Sequence, residues 1–137
     1  MSNDQEITPL INIEDNIYAK LECKNPAGST KDRVAAQIIC DAENQGKIKP
    51  GATIVEATSG NTGIGLAQVA KSKNYSCKIF MPSNMSKERI ALMEQYGAQC
   101  ILTDANLGMQ GSVDKAMQFC KENDNCFFAD QFNNPSN

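Results

Sequence analysis

Apolar and polar residues alternate over residues 17–22, Ile-Tyr-Ala-Lys-Leu-Glu, the period of a half-buried strand. From about Asp32 to Gln45 the period lengthens. Ala35, Ile38, Ile39 and Ala42 share one helical face, and Gly46 is placed to end the helix. Pro50-Gly51 reads as a turn, and the β-branched run Thr53-Ile54-Val55-Glu56-Ala57 as a short buried strand. Ile64, Leu66, Ala67, Val69 and Ala70 mark a second helix ending near Lys73. Gly63 and Gly65 weaken its first turn, a cost that points to a close backbone approach there. Residues 77–81 read as a strand stopped by Pro82. Ser86 caps a helix carrying Ile90, Leu92 and Met93 and ending at Gly97. A strand over 99–103, a loop with Gly108 and Gly111, a helix around 112–122 and a strand over 126–129 complete the series.

Strands therefore alternate with helices along the chain. That order predicts a single α/β domain over residues 1–137, a mostly parallel sheet with helices on both faces and right-handed crossovers. Ligands of such sheets collect beyond the carboxyl ends of strands, beside helix N-termini. The segments around residues 25–31 and 58–63 each leave a strand-like run and open a helix, which places both on one rim. The polar opening, residues 1–6, reads as loose, and no internal repeat or low-complexity segment is found.

With 137 residues the chain can bury one real core. Its 13 basic and 16 acidic side chains leave a net charge of −3, so it lacks the basic face a nucleic acid requires. No apolar run is long enough to cross a membrane, and the opening Met-Ser-Asn-Asp-Gln-Glu is not a signal peptide. The expected compartment is the cytoplasm. The six cysteines form no C-x-x-C pair and there is no histidine, so no metal site of the usual zinc type is expected. Ser-His and Cys-His nucleophile pairs are excluded as well. Cys77, Cys100 and Cys126 lie in or beside apolar runs and read as small hydrophobes, free thiols in a reducing compartment.

Two segments carry candidate chemistry. In Asn25-Pro26-Ala27-Gly28-Ser29-Thr30-Lys31-Asp32-Arg33, Pro26 and Gly28 force a turn. Ser29 or Thr30 offers an N-cap, and Asp32 puts negative charge in the first helical turn. Lys31 stands at the positive end of a helix, where a cation is disfavoured, a setting suited to an amine that acts as a nucleophile or forms an imine. A surface lysine beside a cap fits the same residues. In Thr58-Ser59-Gly60-Asn61-Thr62-Gly63, the side chains of Ser59, Asn61 and Thr62 can donate hydrogen bonds. Gly60 and Gly63 let backbone N–H groups approach an oxyanion. A small carboxylate, a phosphate or an ordinary capped turn all suit that set. No Gly-Lys-Ser/Thr follows, and glycines at 60, 63 and 65 do not make G-x-G-x-x-G.

The form Asn-Pro-x-x-Ser-x-Lys-Asp-Arg resembles the cofactor-lysine motif of cysteine synthase and its fold-type-II pyridoxal-phosphate relatives. Thr58 to Gly63 resembles that family's substrate loop, and Asp130-Gln131-Phe132 matches a further carboxylate-contacting segment. Thr8-Pro9-Leu10, Met81-Pro82 with Met85-Ser86-x-Glu88-Arg89, and Gly108-Met109-x-Gly111 match as well, the latter two as structural segments. The likeness covers residues 8–137. It implies a pyridoxal-phosphate enzyme that makes L-cysteine from O-acetylserine and sulfide. Lys31 would hold the cofactor, be displaced by the substrate's amino group and then take the α-proton, after which acetate leaves and sulfide adds. Thr58, Ser59, Gly60, Asn61, Thr62 and Gln131 would grip the substrate, with Asn61 also touching the cofactor's ring hydroxyl. Asp32 and Arg33 are expected to start and pack the helix. Cystathionine β-synthase, a serine/threonine dehydratase, or a non-catalytic module binding a small carboxylate are the alternatives. The family's phosphate cup, and the serine that meets the pyridine nitrogen, have no counterpart in these 137 residues. The expectation is the lysine lobe of such an enzyme, weak in cofactor binding and turnover by itself, with a complementing C-terminal lobe or a homodimer as partner.

Overall fold

The computed structural model describes residues 7–137, so the expectation for residues 1–6 lies outside the described residues. Two strands, β1 (Leu10–Glu14) and β2 (Ile17–Lys20), pair antiparallel around a turn in which Asn16 takes a left-handed backbone, φ 63°. The rest is a run of alternating elements: α1 (Lys31–Asn44), β3 (Thr53–Ala57), α2 (Asn61–Ser72), β4 (Ser76–Pro82), α3 (Lys87–Gln95), β5 (Gln99–Thr103), α4 (Gly108–Glu122) and β6 (Cys126–Phe128). The four later strands form one parallel sheet in the order β5-β4-β3-β6.

That order follows from the two-residue period of the strands. Ile54, Cys77, Ile79 and Met81 point to one face, where they pack with Ala35, Ile38 and Ile39 of α1, Leu66 and Ala70 of α2 and Met93 of α3. Val55, Ala57 and Phe80 point to the other face, where Ala116 and Phe119 of α4 cover them. The chain steps outward from β3 to β4 to β5 with α2 and α3 on one side. It then returns through α4 on the opposite side to place β6 against the free edge of β3. With right-handed crossovers, reversing direction obliges the helix to change face. Strand order thus reverses between β3 and β6, the place in such sheets where ligands collect beyond the carboxyl ends of the strands.

Gly65 brings α1 and α2 together. A Cβ at this position would sit 3.0 Å from the carbonyl oxygen of Lys31 and 3.2 Å from Cβ of Ala35. The weak helix former in the first turn of α2 is therefore the residue that lets the start of α1 lie against it.

Three expectations are corrected. Residues 17–20 do not join the parallel sheet; they pair with β1, a strand with no sequence signal of burial because Leu10-Ile-Asn-Ile-Glu14 is exposed on both faces. The Lys31 loop therefore reaches the site through the α1–α2 packing and not from a strand of the sheet. The half-predicted loop at 58–63 is helical from Asn61 onward, because Gly60 in extended conformation already serves as the N-cap residue. Cys120 and Cys126 are not free thiols. The chain folds back from the last turn of α4 into β6, which brings their Cα atoms to 5.2 Å, and the sulfurs are bonded. A spacing of six residues hides this, since the pairing depends on where the helix stops. Cys23, Cys40, Cys77 and Cys100 are free. No helix among the described residues is long and apolar enough to cross a membrane.

The hairpin is tied to α1 by a polar knot. Arg33 Nε donates to Glu22 Oε2 at 2.8 Å, its Nη2 donates to Thr8 Oγ1 at 2.9 Å, and the Thr8 hydroxyl donates to Glu22 Oε1 at 2.8 Å. Asn25 Nδ2 adds a bond to Glu22 Oε2 at 2.7 Å. The Arg33 guanidinium, then the Thr8 hydroxyl and the Asn25 amide, hold the Glu22 carboxyl down to about 2. A carboxyl lowered on folding contributes stability above the ordinary carboxylate range, and that contribution disappears as pH falls toward about 2. Urea midpoints measured between pH 5 and 2, values chosen as roughly bracketing that window, are expected to fall with acid in the wild-type chain. The slope is expected to be shallower in Glu22→Gln.

Candidate active site

The loop before α1 is built around Asp32. Its buried carboxylate accepts from the N–H of Ala27, from the N–H of Ser29 at 3.3 Å and from the Ser29 hydroxyl at 3.3 Å. Asn25, also buried, donates to the carbonyl of Ser29 at 2.9 Å. Gly28 takes φ 89°, which only glycine adopts without strain, and its N–H closes the turn on the Asn25 carbonyl at 2.8 Å. Ser29, not Thr30, provides the side-chain cap: its Oγ accepts the N–H of Lys31 at 3.1 Å. The loop is thereby fixed from within, and Lys31 is the first residue of the helix.

The second loop leaves the carboxyl end of β3. The Thr58 N–H still pairs with the Phe80 carbonyl at 3.0 Å, and its hydroxyl turns back to accept the N–H of Gly60 at 3.2 Å. Asn61 and Thr62 then open α2, where no preceding turn of helix exists to accept their N–H groups. A Cβ at Gly60 would meet nothing within 4 Å, so the loop is open on that side. Gly63 is different. A Cβ there would sit 2.9 Å from Cε of Met93 and 2.9 Å from Cγ2 of Thr58, so this glycine serves packing.

The third piece follows β6. Gln131 is buried beside Thr62, whose hydroxyl donates to Gln131 Oε1 at 2.7 Å. The side-chain amide of Asn137 donates to the Gln131 carbonyl at 2.7 Å, and the Lys31 ammonium donates to Asn137 Oδ1 at 3.4 Å. A continuous path of polar contacts therefore runs from Lys31 through Asn137 and Gln131 to Thr62. The two ends of the sheet's switch point and the start of α1 converge here, at the N-terminus of α2.

The expected site residues are not equivalent in this arrangement. Lys31, Thr62 and Gln131 are connected as described. Asn61 is exposed at the opening of α2. The Thr58 hydroxyl is engaged inside its own turn. The Ser59 carbonyl accepts from Arg89 Nη1 at 3.3 Å, and Tyr96 Oη donates to the Pro26 carbonyl at 3.1 Å, so residues of α3 and its C-terminal end brace both loops. Arg89 was expected to be structural, and this contact is of that kind. Glu56 was not singled out. It is a buried acid on the apolar α1/α2 face of β3, and its oxygens accept the N–H of Ala57 at 2.7 Å and of Gln131 at 2.9 Å. Burial pushes its carboxyl up to about 7, against the pull of the two N–H donors, with Asp130 adding a smaller upward push. The signal was present: one acid in a β-branched strand directly before the loop.

Residues 2–137 match the family described as pyridoxal-phosphate dependent enzyme. The chain belongs to this family. It is 48% identical over 137 residues to cysteine synthase B of Escherichia coli (strain K12), a match that covers 95% of this chain and 45% of that protein. Among solved structures, a hydrogen sulfide-producing enzyme from Fusobacterium nucleatum superposes with TM-score 0.84 at 47% identity, covering 94% of this chain and 45% of that one. The cysteine synthase of Entamoeba histolytica does so with TM-score 0.87 at 41% identity, covering 94% and 42%. The chain thus spans about half the length of the relatives it matches. Membership in the pyridoxal-phosphate dependent enzyme family gives the cofactor, and the donor chemistry of these residues fits it: a primary amine is linked through Asn137 and Gln131 to the N–H and hydroxyl donors that open α2.

Proposed function

We propose that this chain supplies the lysine-bearing half of a cysteine synthase, converting O-acetylserine and sulfide to L-cysteine and acetate. The observation that carries the reading is the polar path from the Lys31 amine to Thr62 through Asn137 and Gln131. An amino acid lying between these groups has its carboxylate at the start of α2 and its α-carbon toward the lysine. Ser59, Asn61, Thr62 and Gln131 bind and orient that carboxylate, aided by the unpaired N–H groups and the positive end of the helix. Lys31 holds the cofactor and, at its Nζ, moves the proton of the α-carbon. Pyridoxal phosphate, when bound, supplies the electron sink for the charge that develops at that carbon. Fixing the carboxylate also fixes the distance to the amine, and positioning of this kind is worth several kcal/mol, up to about 7–11.

The partner in this reading is a complementing C-terminal half. The hairpin supports it: Leu10, Ile13, Ile17 and Tyr18 are 63%, 64%, 53% and 60% exposed, and a two-stranded ribbon without cover is marginal in water. The compartment it implies is the cytoplasm, with the Cys120–Cys126 bridge the one feature that pulls toward an oxidising one.

The test is to join the chain to the downstream half of the Escherichia coli relative and follow cysteine formation from O-acetylserine and sulfide. The fusion is expected to make cysteine, and Lys31→Ala to lower the rate by about 10²–10⁴-fold. Cystathionine from serine and homocysteine, without cysteine from the first pair, would overturn the assignment of substrate.

A further inference from the structure

The ladder between β3 and β6 ends early. Val55 is paired with Phe128, and the Ala129 N–H donates to the Val55 carbonyl at 2.8 Å. Beyond this point no backbone bond joins β3 to the segment that follows β6: the next β3 residue on this edge is Ala57, and its N–H goes to Glu56 Oε1 at 2.7 Å. The next residue after β6 and Ala129, Asp130, takes a left-handed backbone with φ 48°, unusual for a residue with a side chain. Gln131 thus leaves the sheet with no backbone acceptor for its N–H. A buried N–H without a partner is costly. The group that meets it is the Glu56 carboxylate, at 2.9 Å.

We propose that Glu56 is the positioning residue of the carboxylate site: it takes the place of the missing backbone acceptor and holds Gln131 against Thr62. The inference rests on the reading of Thr62 and Gln131 as carboxylate contacts, but its geometry can be judged apart from that reading. Glu56 is 1% exposed, and each of its oxygens accepts one backbone N–H, Oε1 from Ala57 and Oε2 from Gln131. A carboxylate can accept at both oxygens, whereas an amide would turn a donor toward one of the two N–H groups. This explains an acid on a strand face otherwise shared with Ile54. With its backbone fixed, Gln131 accepts the Thr62 hydroxyl at Oε1, while Nε2 donates to no protein group among the described residues. That leaves one N–H₂ aimed by the fold and available to a small carboxylate. Glu56 touches neither substrate nor cofactor in this arrangement. It acts through Gln131.

Amide hydrogen exchange on the 137-residue chain tests the inference. In the wild type, Gln131 N–H is expected to exchange at least about tenfold more slowly than the N–H of exposed Phe132, although neither lies in a regular strand. Glu56→Leu keeps a similar volume and removes both acceptors. It is expected to abolish the protection of Gln131 while Ile54 and Ile79 stay protected, and to weaken the L-serine-induced shifts at Thr62 and the Gln131 side-chain amide by at least about tenfold in affinity. Fast exchange of Gln131 in the wild type overturns the proposal without any variant, so failure of Glu56→Leu to fold would not shield it. Unchanged protection and unchanged L-serine shifts in Glu56→Leu overturn it as well. If L-serine shifts neither Thr62 nor Gln131 in the wild type, the carboxylate reading fails, and the exchange data still decide whether Glu56 holds Gln131.

Discussion

Gly65→Val is expected to destabilise the chain by roughly 1–3 kcal/mol and to loosen the start of α1. Replacing glycine inside a helix usually helps, since alanine gains about 1 kcal/mol in propensity. Here the space is already taken. The first side-chain carbon would meet the Lys31 carbonyl oxygen at 3.0 Å and the Ala35 methyl at 3.2 Å. Gly65→Ala therefore sets a propensity gain against a tight contact and is expected to be close to neutral. Valine adds two methyl groups facing backbone that cannot rotate away. The helices must separate, and the residue moved first is Lys31. Urea denaturation of the two variants gives the stability difference. Hydrogen exchange of the Lys31 and Asp32 amides, faster in the valine variant alone, gives its location.

Asp32→Ala is expected to cost about 2 kcal/mol and to release the lysine loop while the sheet remains intact. The Asp32 carboxylate gathers three donors from Ala27 and Ser29, and the Ser29 hydroxyl it holds is the one that accepts the N–H of Lys31. Removing the carboxylate leaves those donors to compete for water. It also removes the negative charge that favours the N-terminus of α1. Asp32→Asn keeps one acceptor and is expected to fall between the two. Thermal unfolding checks the magnitude, and increased proteolytic cleavage within residues 26–30 checks the place. A uniform loss of protection across β3 and β4 would contradict a local role.

The centre of the sheet was legible because β3 is short and buried on both faces, so the β-branched run at 53–57 had no competing period. The helices were legible from the spacing of Ala35, Ile38 and Ile39 and from the stops at Gly46 and Gly97, both with positive φ. Lys31 and Thr62 could be named from local motifs, since each opens a helix. What remained hidden depends on distant geometry. The hairpin at 10–20 has exposed apolar residues on its strands, so no burial pattern marks it. The Cys120–Cys126 bridge depends on where α4 ends. Glu56 looked like one polar residue in a strand, and its use appears only when Gln131, 75 positions away, arrives beside it.

On the proposed reading, Lys31 is chemically set apart by its link through Asn137 to Gln131 and the start of α2. The most direct test is borohydride reduction of the chain after incubation with pyridoxal phosphate, followed by peptide mass mapping. A pyridoxyl group is expected on Lys31 in preference to the exposed lysines, reduced when L-serine is present at saturating concentration. A label spread over surface lysines, with Lys31 no richer than Lys47 or Lys87, would contradict that reading.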